Sequence, residues 1–118
     1  MPEPAQVLAS LPPQTRADLT TRSDSAGLVH LAKHASIILV LAGYVAAGLP
    51  LWWVAMLPLG IALVFVFTLQ HECTHQTPFK SVWLNELVGH ICAVLIAQPF
   101  LCFRAFHLAH HRHTTDPA

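Results

Sequence analysis

The hydrophobic and polar positions fall into three zones. Residues 1–30, beginning MPEPAQVLASLPPQTRADLTTRSDSAG, mix Pro, Ser, Thr, Ala and scattered charge without a sustained apolar period, and they read as a loose, disordered leader. From Ala35 to Gln70 no side chain is charged. As one helix that run would measure about 54 Å at 1.5 Å per residue, whereas a hydrocarbon core is roughly 30 Å thick. Gly48-Leu49-Pro50 interrupts it, and Pro suits a first helical turn. The pattern therefore predicts two membrane spans, about 31–47 and 51–69, joined as a hairpin. Beyond them, Val82 to Phe103 is again largely apolar, but its uninterrupted part, Ile91 to Ala97, is short, and Asn85, Glu86 and His90 break the earlier half. That stretch predicts an interfacial or re-entrant segment rather than a full crossing. The expected fold class is all-α, an integral membrane helical hairpin followed by this segment and by polar helices on the same side.

Composition supports the membrane assignment. Hydrophobic residues make up 54% and charged residues 10% of the 118, which is unusual for a soluble domain, and a chain of this length cannot cover so apolar a hairpin by itself. Six Lys or Arg balance six Asp or Glu. With no basic stripe to neutralise phosphates, nucleic acid is excluded as a partner. Arg16, Arg22 and Lys33 precede the hairpin, Lys80, Arg104 and Arg112 follow it, and the connecting turn carries no cation, so both ends are expected on the cytosolic face. Trp52 and Trp53 sit just after the turn, at the depth that suits aromatic rings at the far interface. The first apolar run begins too far from the N-terminus for a cleaved secretory signal. Cys73, Cys92 and Cys102 are odd in number, lack a CxxC spacing and lie in or beside apolar sequence, and they read as reduced and structural.

The chemistry starts where the second span ends, at His71-Glu72-Cys73-Thr74-His75. Residues four apart share a helical face, so His71 and His75 can offer two imidazoles to one metal. A second group, His107-Leu108-Ala109-His110-His111-Arg112-His113, repeats the arrangement with i, i+3 and i+4 spacing. The two groups hold six of the nine histidines. Both border apolar sequence, where an imidazole without a partner is costly. Imidazole suits Zn, Cu, Fe and Ni alike, so ligand type alone does not select the metal. HECTH also satisfies the HExxH pattern of zinc metalloproteases, in which the Glu activates water. An intramembrane protease of that kind is the alternative of another class, but it leaves the second histidine group without a task, because a catalytic Zn takes three protein ligands. A soluble-type di-iron carboxylate bundle would need two ExxH motifs and further Glu residues, which this sequence lacks.

HECTH at the end of a span, followed by FRAFHLAHHRHTTDP, resembles the first two histidine boxes of the membrane fatty acid desaturases. The likeness covers roughly Thr68 to Pro117. It implies two non-haem iron ions, dioxygen as co-substrate and attack on an unactivated C–H bond of a fatty acyl lipid. Residue by residue it makes His71, His75, His107, His110 and His111 metal ligands. Glu72 falls where the family has an acidic residue and is expected to orient a ligand imidazole, while His113, outside the strict pattern, is a supporting residue near the face of His110. The resemblance also implies a separate ferredoxin or cytochrome-type electron donor, and a bacterial inner membrane or its equivalent as the location. Carotenoid and alkane hydroxylases or ketolases share closely similar boxes and remain an alternative outcome of the same chemistry.

The family pattern has a third box, HxxHH, and four spans, neither of which is complete in this sequence. The expectation is a partial desaturase domain over 31–118, a truncated form of the four-span fold, inactive in isolation; a non-catalytic, metal-binding membrane fragment is a further reading. His90 reads as a hydrogen-bonded structural residue, Asn85 and Arg104 as ligand-orienting, lipid-contacting, solvated or capping groups, and His30 and His34 as dispensable.

Overall fold

The structure, a computed structural model, describes residues 4–114. It is helical throughout, with α1 Pro4–Ser10, α2 Pro13–Thr20, α3 Asp24–Ala46, α4 Trp52–Thr74, α5 Val82–Leu95 and α6 Phe100–His113. No strand occurs among the described residues. Helices α3 and α4 are long and apolar enough to cross a membrane, and α5 and α6 form a pair bent by 106°. The all-α hairpin with a following bent segment is thus the observed architecture.

The boundaries differ from expectation in informative ways. The leader is helical at α1 and α2, whose side chains from Gln6 onward are exposed, and its first three residues lie outside the described residues. Helix α2 has Pro at its first turn, where the missing N–H costs nothing. The first span begins at Asp24 rather than near Leu31, because Ser23 caps the helix by accepting from the Ala26 N–H at 3.4 Å and Asp24 places a carboxylate in the first turn, where the helix dipole favours it. The second span continues to Thr74, carrying the first histidine box inside its last turn.

The hairpin turn follows from two left-handed residues. After the C-cap Ala47, Gly48 adopts φ +59°, the conformation for which glycine has no steric penalty and which commonly ends helices. Leu51 then takes φ 62°, at a cost of about 1–2 kcal/mol for a side-chain-bearing residue. The Tyr44 hydroxyl donates to the Pro50 carbonyl at 2.5 Å, closing the turn from the α3 side.

The buried core lies at the opposite end from this turn. Val66 and Cys73 of α4, Phe79 of the following loop, Leu84, Val88, Cys92 and Ala93 of α5 and Phe100 of α6 form it. Two glycines permit the closest approaches. A Cβ on Gly27 would overlap the Pro78 carbonyl and the Phe79 ring, and one on Gly89 would overlap the Phe100 ring. Asp24 ties α3 to the loop before α5, accepting from the Ser81 N–H at 2.8 Å and the Ser81 hydroxyl at 2.6 Å. Asn85, fully buried, locks the same loop, donating to the carbonyls of Phe79 at 3.0 Å and Ser81 at 2.9 Å and accepting from the Phe79 N–H at 3.4 Å. Its role is therefore to brace the loop from within α5, whose N-cap is Ser81. Replacing it by Ala orphans backbone groups in a buried loop, so Asn85→Ala should destabilise the chain by about 1–3 kcal/mol, read as a lowered midpoint of denaturant unfolding in detergent followed by circular dichroism.

Candidate metal centre

Helix α4 brings His71 and His75 to its C-terminal end, with His75 as the C-cap, its N–H bonded to the Glu72 carbonyl. Gln76, at φ 56°, ends the helix there. Helix α6 returns across this end with His107 and His111 facing it, because the α5–α6 turn, in which Ala97 sits at φ 54°, reverses the chain. One ring nitrogen from each of His71, His75, His107 and His111 lies within 4.8 Å of the others. His75 Nε2 and His107 Nε2 are 2.8 Å apart, and His111 Nε2 and His107 Nε2 are 2.9 Å apart.

The two short separations suit ligands of a shared cation. Two imidazoles on a single ion at about 2.0–2.1 Å, with a right angle between the bonds, place their nitrogens about 2.9 Å apart. Hydrogen bonds alone serve this group poorly, since the single Nε2 of His107 faces two other ring nitrogens and has one lone pair or one proton to offer. Each ligand pair also lies toward the C-terminal end of its helix, where the carbonyl dipoles favour positive charge.

The surroundings orient the rings and disfavour the charged form of His75 and His107. Phe103 stacks on His107 with ring centres 5.3 Å apart and 15° between planes, and meets Phe67 edge-on at 5.4 Å, forming an apolar wall on the membrane side. Burial, followed by the neighbouring imidazoles His71 and His111, pushes His75 below the ordinary histidine range. His107 is lowered by burial and then by His71, His111, His75 and His110. Arg104 forms a two-pronged ion pair with Glu86 of α5, its second nitrogen 3.2 Å from Oε2, and lies 4.9 Å above the Phe100 ring. It thereby braces α6 against α5 one turn before His107.

The other residues singled out in the sequence lie elsewhere. His110 is exposed and stacks on Phe106 at 6.4 Å and 9°, outside the four-imidazole group. His113, exposed at the last residue of α6, also stands apart from it. The Glu72 carboxylate is 3.7 Å from His71 Nδ1, a charge beside the ring rather than a hydrogen bond, and it accepts from the Thr77 hydroxyl. It borders the groove between α3 and α4, not the point on which the imidazoles converge, so the water-activating task of a zinc protease Glu is not served. His34 donates from Nε2 to the Ala62 carbonyl at 2.8 Å, a contact between spans that its sequence position did not signal. His90 packs edge-on against Phe100 at 5.1 Å, a structural place away from the cluster. Cys73 and Cys92 are buried and unpaired, and Cys102 is exposed and unpaired.

A two-helix apolar hairpin, long enough to cross a membrane, is closed at one end by four converging imidazoles that could hold a metal ion. The family model for fatty acid desaturases matches residues 47–118, and the chain belongs to that family. It is 35% identical over 82 residues to the sn-1 oleoyl-lipid 12-desaturase of Anabaena variabilis, covering 67% of this chain and 23% of that protein. To the protein of the same name from Synechocystis sp. it is 39% identical over 66 residues, covering 56% of this chain and 18% of the relative. To the sn-1 acyl-lipid omega-3 desaturase (ferredoxin) of Nostoc sp. it is 34% identical over 65 residues, 55% of this chain and 17% of that one. The chain thus spans less than a quarter of the length of these relatives. No solved structure matches it.

Two outcomes check the site. In the purified chain, His71→Ala, His75→Ala, His107→Ala and His111→Ala should each lower the affinity for a divalent metal by at least the roughly 10–100-fold that losing a mere supporting contact costs, while His110→Ala should leave this site's affinity near wild type; metal competition titrations read both. Because His75 and His107 are lowered in the folded form, that form binds fewer protons than the unfolded one between the lowered values and about 6.5. Acid across that window therefore works against the closed cluster. Affinity measured from pH 8 downward should stay level to about pH 6.5 and fall below it.

Proposed function

We propose that this chain carries the first two histidine boxes of a membrane acyl-lipid desaturase, an iron-dependent oxidoreductase, and that His71, His75, His107 and His111 hold one iron ion. The observation that carries the reading is the convergence of imidazoles from two boxes on two helices. When bound, iron in such a site supplies the activation of dioxygen needed to remove hydrogen from an unactivated acyl C–H bond. The resemblance implies two ions, and His110, one residue from a ligand yet on another side of α6, is free to serve the second. The remaining ligands would then come from the part of the family's length that lies beyond this match.

The chain's own residues have definite tasks on this reading. The imidazoles present lone pairs to the metal, and the Glu72 charge beside His71 Nδ1 favours the tautomer that leaves Nε2 for it. Phe67 and Phe103 keep water from the membrane side of the centre. Helices α3 and α4 anchor the site at the interface, with the cations at both ends of the hairpin favouring a cytosolic face for the boxes. Electrons would come from a separate ferredoxin or cytochrome-type carrier; the Nostoc relative's name includes ferredoxin. A fatty acyl chain held in lipid is the substrate class supported by the names of the relatives.

A chimera tests this. Residues 47–118 of this chain, replacing the matching segment of the Anabaena 12-desaturase, should retain formation of desaturated lipid in a host that supplies the substrate, and His75→Ala within the graft should abolish it. A chimera that binds iron like its parent yet forms no unsaturated product would overturn the assignment. The 118-residue chain alone should show no turnover in the same assay; full activity would refute the partial-domain reading.

A further inference from the structure

Gln70 stands one residue before the first clustered imidazole, and its side chain is completely buried, at 0% exposure. Its Nε2 donates to the backbone carbonyl of Gln98 at 3.1 Å. Gln98 immediately precedes Pro99, the N-cap of α6, so this bond joins the ligand-bearing end of α4 to the start of the helix that presents His107 and His111. The arrangement carries a penalty, because Gln70 Oε1 and Gln98 Oε1 are both buried without a partner, and an unpaired buried acceptor is a net loss to the fold. Turning the Gln70 amide over would set its oxygen against the Gln98 carbonyl oxygen, two acceptors with no proton between them, so the donor must face Gln98. An apolar side chain of equal volume would pack without that loss. What remains to account for Gln70 is the bond its donor makes.

The other contacts of α6 leave its distance from α4 loosely fixed. The Glu86–Arg104 pair and the Phe100 ring against Gly89 join α6 to α5. The Phe67–Phe103 edge contact reaches α4 but has no directional bond. Among the described residues, the Gln70–Gln98 contact is the one hydrogen bond, apart from those of the imidazoles, between α4 and the α5–α6 turn or α6. We propose that Gln70 is a positioning residue for the metal centre: by gripping the Gln98 carbonyl it sets the spacing and rotation of α6, so that His107 and His111 meet His71 and His75 at metal-ligand distances. This rests on the metal reading of the four imidazoles given above.

Cobalt(II) titration of the purified full chain in detergent reads both geometry, through the visible ligand-field bands, and affinity. Gln70→Met keeps the volume and removes the donor; Gln70→Asn keeps an amide that is one methylene too short to reach. Both should retain the wild-type far-ultraviolet helix signal, bind cobalt about 10-fold or more weakly, and show displaced bands. Gln98→Ala, which preserves the accepting backbone carbonyl, should match wild type in both respects. If one Gln70 variant loses its helix signal, the other carries the comparison. Wild-type bands and affinity in a folded Gln70 variant overturn the proposal and leave the metal reading standing, as does loss of helix signal in both variants or an equal loss in Gln98→Ala. A wild-type chain that binds no cobalt overturns the metal reading and this inference with it.

Discussion

Four imidazoles from two helices gather at one end of the hairpin, an arrangement that a cation among them would stabilise. Their ring nitrogens carry lone pairs or single protons, and both short contacts fall on the one Nε2 of His107, which can serve only one of them well. Burial works in the same direction, since the depressed protonation of His75 and His107 removes the charged form that could otherwise bind its neighbours. A cation resolves both problems at once, and the C-terminal carbonyl dipoles of α4 and α6 add to its attraction. The rest of the described structure is arranged so that this convergence occurs at the end of a membrane hairpin.

Delivery depends on the bend between α5 and α6. Helix α5 has 14 residues, which at 1.5 Å each gives about 21 Å, short of the roughly 30 Å of a hydrocarbon core. It therefore leaves from the end of α4 and returns α6 to the same side, and the 106° angle turns the second box toward the first. Small and polar residues make the bend compact. Gly89 admits the Phe100 ring, Asn85 closes the loop ahead of α5, and Arg104 clamps α6 to Glu86. A bulky residue at 89 would push α6 away from α5 and carry His107 with it.

How much of this was legible in the sequence depends on the range of the signal. The hairpin was legible because a charge-free run of that length has few alternatives and Gly48-Leu49-Pro50 marks its break. The HxxxH spacing of His71 and His75 is a local helical fact and held. The start of α3 was misplaced because its signal is the two-residue Ser23-Asp24 cap, set within polar sequence that composition reads as loose. Helices α1 and α2 were missed for the same reason, as composition averages over the short helix-forming stretches within Pro4–Ser10 and Pro13–Thr20. The separation of His110 from His111 could not be read at all. Relative to His107, the two lie on opposite sides of one helical face, roughly 60° and 40° away at about 100° per residue, and which of them meets α4 depends on where α4 stands. Gln70 and Asn85 did leave a trace, as lone amides in apolar runs whose partners are backbone atoms that no sequence pattern names.

The exposed surface bears on the proposed role. None of the most apolar window of α3 is buried within the chain, and 11% of that of α4, so lipid or further protein must cover both helices, as the hydrophobic cost of leaving them in water is prohibitive. The same holds for α5 and α6, where Trp83, Leu87, Ile91, Val94, Leu95, Leu101 and Phe106 stand exposed. At the C-terminal end of α6, however, the uncovered groups are polar: His110, His111, Arg112 and His113. Lipid is a poor cover for that surface, because imidazole and guanidinium groups lose hydration there without gaining partners. If additional protein completes the centre, as the greater length of the relatives implies, it would be expected to approach over this polar edge, where His110 stands outside the four-imidazole group. The apolar remainder of the chain would meanwhile stay turned to the membrane.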